Sequence, residues 1–146
     1  MSIKGTKQTQ VYVYDFAVDG GATGAIDLSA KANAAPLPTG AVITSVYGIV
    51  TTAFTSGGSA TMSWGPTSDV DGYSGTAIAV ASLTDNLVVN GWDSAAALLW
   101  DDTNDHAIFP KVIAANTGDF LVTIATAAMT AGYAEFVVEY YMPINP

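Results

Sequence analysis

A chain of 146 residues is long enough for one domain with a sizeable core, and 50% hydrophobic against 12% charged residues excludes a disordered chain. Thirteen acids against four lysines, with no arginine, give a net charge of -9 and argue against binding nucleic acid through phosphate neutralisation. With no cysteine and a single histidine, disulfide staples, thiol nucleophiles and Cys- or His-rich zinc centres are excluded.

The first ten residues carry Lys4 and Lys7 and no acid, while residues 11–146 hold all 13 acids and only Lys31 and Lys111. This reads as a locally basic, extended N-terminal arm that orders on an acidic neighbour or frays. No apolar segment follows those lysines, so no secretory signal is expected and the protein is expected to fold in a cytoplasm. From Val11 to Val18, Tyr12, Tyr14, Phe16 and Val18 alternate with Val11, Val13, Asp15 and Ala17, which predicts a strand. Ala41 to Thr51 is apolar on both faces, with Ile43, Tyr47 and Ile49 on one and Val42, Val46 and Val50 on the other. That pattern predicts a central strand covered on both sides, with Gly48 marking a bulge.

Ser59 to Gly65 predicts a strand with Ala60, Met62 and Trp64 facing the core. Thr76 to Leu83 reads as either a short helix or a strand. Asn90-Gly91, between Leu87-Val88-Val89 and Trp92, is the sharpest hairpin signal in the chain. Asp93 to Trp100 reads as about two helical turns, with Asp93 as cap. Asp119 to Thr126 places Phe120, Val122 and Ile124 on one face, and Tyr133 to Met142 sets Ala134, Phe136, Val138, Tyr140 and Met142 against Glu135 and Glu139. These last two runs predict a terminal hairpin or neighbouring strands. Gly- and Pro-containing turns separate the runs, and no apolar stretch approaches the roughly 18 residues of a membrane span. The expected architecture is all-β: an antiparallel, jelly-roll-like β-sandwich over residues 11–142 with at most one or two helical turns, an arm over 1–10 and a tail over 143–146. Periodicity does not give the strand order, so an immunoglobulin-like arrangement stays open.

Candidate chemistry is sparse. Asp69 and Asp71 share a turn, and Asp101, Thr103 and Asp105 have the spacing of oxygen ligands, but neither run completes a calcium loop, and the acids read as turn formers. No pair among the 13 carboxylates is singled out for glycoside hydrolysis, and His106 lacks a nucleophile elbow, so no enzyme, cofactor or resident metal is expected. Trp92 and Trp100, with the tyrosines, offer an aromatic platform for carbohydrate or a subunit contact. The C-terminal run from Tyr140 and Tyr141 to Pro146 is aromatic and proline-stiffened, suited to lying on a partner. Lys4, Lys7, Trp92, Trp100 and Tyr141 are thus the candidate partner-contact residues.

The run Leu37 to Tyr47, followed by Thr52 to Gly65, resembles small structural proteins encoded among the morphogenesis genes of tailed bacteriophages. Ala127 to Tyr133 and Val137 to Tyr141 resemble their closing strand. The resemblance implies a capsid cement or decoration protein: a jelly-roll homotrimer on the outside of the shell, contacting the major capsid protein and neither nucleic acid nor membrane. Tail or neck components share the same features.

Overall fold

The computed structural model describes residues 5–90, 111–113 and 118–144. The Asn90-Gly91 turn, the 93–100 segment, the 101–105 acids and His106 fall wholly or partly outside them. The strands are β1 (Lys7–Asp15), β2 (Gly24–Asp27), β3 (Val42–Ser56), β4 (Thr61–Gly65), β5 (Ile78–Ala79), β6 (Leu87–Asn90), β7 (Lys111–Val112), β8 (Leu121–Ala125) and β9 (Met129–Tyr141). A single α-helical turn, α1 (Phe16–Asp19), and two 3-10 turns complete the described elements.

The strands form two antiparallel sheets, one ordered β1-β9-β3-β6 with β7 also on β3, the other ordered β2-β8-β4-β5. Leaving aside the two-residue β7, the remaining strands pair first with last, second with next-to-last, and so inward: β1 with β9, β2 with β8, β3 with β6, β4 with β5. That nested pairing is a long antiparallel ribbon rolled on itself, the jelly roll. It decides the strand order that periodicity left open.

Alternation explains which side chains meet between the sheets. Tyr12 and Tyr14 of β1, Phe136 and Val138 of β9, Met62 and Trp64 of β4, and Val122 and Ile124 of β8 all point inward and are buried. At the centre Phe120 stacks on Tyr12 at 4.6 Å and Tyr73 at 5.6 Å, and meets Phe136 at 5.4 Å; Phe136 in turn lies 5.0 Å from Trp64. Burial holds the Tyr12 and Tyr73 hydroxyls far above their ordinary pKa and pushes Tyr14 up to about 12, with Asp19 and Asp15 adding to the Tyr14 shift.

Four expectations are corrected. The first strand ends at Asp15, not Val18: the Asp15 carboxylate accepts from Ala17 N at 2.9 Å and Asp15 N donates to Asp19 at 2.8 Å, closing a helical turn that leaves Val18 72% exposed. In β3 the register shifts between Ile43 and Ser45, so Ile43, Val46 and Val50 share the core face while Tyr47 and Ile49 face outward. Gly48 is not that irregularity. It sits in register opposite Phe136, whose ring would lie 3.3 Å from an added Cβ, so the glycine makes room for the ring. Finally, β8 and β9 are consecutive but not paired: a γ-turn, with Ala127 N donating to Ala125 O at 2.9 Å and Thr126 at φ 72°, carries the chain from one sheet to the other. The Thr76–Leu83 run contains both alternatives, strand β5 followed by a 3-10 turn over Val80–Ser82.

Candidate interaction surface

The side chains that point away from the core on the β1-β9-β3-β6 sheet form an ordered array. Its register sets Lys7 beside Tyr141, Val42 and Val112; Thr9 beside Glu139 and Ser45; Val11 beside Val137 and Tyr47; and Val13 beside Glu135, Ile49 and Val88. An outward sheet face is ordinarily polar when it meets water. Here the aliphatic and aromatic residues dominate, with Val11, Val88, Val112 and Tyr141 exposed and Val42, Tyr47 and Ile49 half-buried. At its centre Val137 is buried although it faces outward, screened by its neighbours on the face.

Charge on this array is low. The Lys7 ammonium lies 2.7 Å from the Glu139 carboxylate, both on the outward side of adjacent strands, and among the described residues Glu135 is the one further charge between the Lys7 and Val13 rows. The β1 edge of the sheet is partly covered: Lys31 Nζ donates to Val13 O at 2.8 Å while lying 2.8 Å from Asp19, and the Tyr12 hydroxyl donates to Ala35 O at 2.8 Å. A charged side chain on an edge carbonyl is one way a strand is kept from pairing with foreign chains.

Of the sequence-derived contact residues, the fold brings Lys7 and Tyr141 together as direct cross-strand partners on this face. Lys4, Trp92 and Trp100 lie outside the described residues. Four of the ten residues of the basic arm, Lys7 to Gln10, belong to β1. The outward residues that sequence reading did not nominate are Val11, Val13, Val42, Tyr47, Ile49, Val88 and Val112. The signal for them was present in the pattern of β3, which read as a strand covered on both faces, and in the valines at the odd positions of β1.

Among the described residues, the acids of the turns serve the backbone of the loops. Asp69 O accepts from Gly72 N at 2.9 Å and Asp71 O from Gly75 N at 2.7 Å, so both shape the 66–75 loop. Asp119 anchors that loop by accepting from the Thr67 amide at 3.1 Å and from the Thr67 hydroxyl. Asp27 caps a 3-10 turn through Ser29 N at 2.9 Å. Among the described residues no group of three or more His, Asp or Glu side chains is gathered to hold a metal. The void between the sheets lined by Gly48, Phe54, Met62, Trp64, Leu83 and Phe136 measures about 10 Å³, no more than one water.

No protein-family model matches the sequence, and no curated protein does. Among solved structures, a chain in the capsid asymmetric unit of cyanophage Pam1 is similar at a TM-score of 0.60 and 16% identity, covering 98% of this chain and 89% of that one. A chain in the acid-stable capsid structure of the Helicobacter pylori bacteriophage KHP30 has a TM-score of 0.49 and 14% identity, covering 97% and 92%. The Pam1 likeness establishes a shared fold over essentially the whole chain.

Proposed function

We propose that this protein is a virion structural component, a capsid cement or decoration protein that binds the outer surface of a phage shell through the major capsid protein, as a homotrimer. The observation that carries the proposal is the whole-chain match to the Pam1 capsid chain, which by the two coverages is only about a tenth longer than this one. A single jelly roll of this size matched from end to end fits a small accessory of a shell. The sequence resemblance to phage morphogenesis proteins points the same way.

The physical properties suit that work. Nested antiparallel pairing gives a rigid body whose outer surfaces can hold fixed geometry across joints between capsomers, and each copy adds buried area that opposes the outward pressure of packaged DNA. The net charge of -9 disfavours nonspecific attachment to that DNA. The role is non-enzymatic and calls for no active site. The test is to add purified protein to shells that lack it and to measure co-sedimentation and the temperature of DNA release. Saturable binding with a raised release temperature is expected; no co-sedimentation and an unchanged release temperature would sink the proposal.

A further inference from the structure

We infer that the outward face of the β1-β9-β3-β6 sheet is the surface by which three copies of this chain associate, so that its two halves are covered by two neighbouring copies before the protein meets any shell. The inference rests on the oligomeric virion role proposed above and names the occupant of this face.

Size is the first argument. The nine residues of β1 at about 3.3 Å each and four strand positions about 4.8 Å apart bound a face of roughly 30 by 19 Å, or at most about 570 Å² in projection, β6 filling only four residues of its edge. Side-chain relief makes the accessible area larger, so that each copy gives up an area on the scale of the about 800 Å² a chain buries in a stable interface, divided here between its two neighbours. A patch this large and this apolar on a freely dissolved monomer would promote aggregation.

Charge is the second. Copies that each carry -9 repel one another, so a self-contact needs a face on which charge is low or already matched. Between the Lys7 and Val13 rows the charges sum to -1, with Lys7 and Glu139 matched within one copy. A decoration protein must also remain soluble between synthesis and its meeting with the shell. A face kept for the shell alone would stay bare throughout that interval, whereas a face closed by its own copies would not.

Around a three-fold axis such a contact is heterologous: the β1 half of one face meets the β6 half of the next, so Val11 and Val88, 41% and 54% exposed, lie on opposite halves of one contact.

The experiment uses purified full chain without shells, so failure of shell binding leaves it unaffected. Sedimentation equilibrium of the native protein is expected to give three times the 15.0 kDa chain mass. Val11→Glu and Val88→Glu, each placing a carboxylate in the contact, are expected to weaken association at least about a hundredfold and to sediment as folded monomers by circular dichroism. Val18→Glu, off the face and 72% exposed, is expected to keep the native mass. A second readout does not depend on the charged variants folding: mixing Val11→Cys with Val88→Cys, in a chain without native cysteine, is expected to give a disulfide-linked dimer on mild oxidation. A monomeric native protein, unchanged mass in both face variants, equal dissociation by Val18→Glu, or no cross-link in the mixed cysteine variants would each overturn the inference.

Discussion

Phe120 is the point at which the two sheets are joined, and its removal measures how much of the stability resides there. Its ring touches Tyr12, Tyr73 and Phe136 at centroid distances of 4.6, 5.6 and 5.4 Å, and its backbone is held by Ser29 Oγ at 3.2 Å and Leu28 N at 2.9 Å. Phe→Ala in a packed core costs about 3–5 kcal/mol. Three ring contacts, each worth about 0.5–1.5 kcal/mol beyond area burial, place Phe120→Ala in the upper part of that range, about 4–5 kcal/mol. For a chain of this length about 1 kcal/mol moves Tm by about 2–4 °C, so a fall of about 8–20 °C is expected. Phe120→Leu, which keeps most of the volume but loses the ring contacts, should cost about 1–2 kcal/mol. The assay is guanidinium unfolding followed by tryptophan fluorescence, with calorimetry, both at one fixed protein concentration because association contributes to apparent stability. A loss below about 1.5 kcal/mol for Phe120→Ala would refute the view that the sheets close on this ring.

Gly132 lies at φ 144° and a Cβ there would fall 2.2 Å from the Phe54 ring, so Gly132→Ala should cost about 3–5 kcal/mol from backbone strain and clash together; Gly20→Ala, at φ 74° and ψ 175° in open space, should cost about 1–3 kcal/mol from strain alone, and thermal melts of the two variants check the contrast. Lys7→Gln removes an exposed ion pair and should change stability by less than about 1 kcal/mol in the same melts. The Tyr14 pKa, raised from 10.0 to about 12 in the fold, means that the unfolded chain loses this proton first as pH rises. Stability is therefore full below pH 10 and lost between about 10 and 12; a pH series of melting points should show that fall, and Tyr14→Phe should lessen it.

The alternation of β1, β4, β8 and β9 was legible because large apolar side chains recur at every second position on the face of each that meets the core. Trp64, Phe120 and Phe136 could be assigned to the core on that basis alone. Nesting of the strands was not legible, since β1 meets β9 from the other end of the chain and no local window contains both. Asp15 and Asp19 ended β1 through a cap, while Phe16 and Val18 carried the apolar parity past the true boundary. The shift between Ile43 and Ser45 exchanged the faces of β3, so Tyr47 and Ile49 read as core although they face outward. The candidate surface was therefore only half visible: Lys7 and Tyr141 came from charge and aromatic content, whereas Val11 read only as the odd face of a strand and Val88 and Val112 had no assigned face until the sheet order put the three on one outward face.

The central claim is most directly tested by image reconstruction of shells before and after addition of the purified protein. Added density on the outer surface at local three-fold positions, into which three copies of the jelly roll fit, is the expected result. Reconstructions that are identical with and without the protein, or added density confined to the tail or the shell interior, would contradict it.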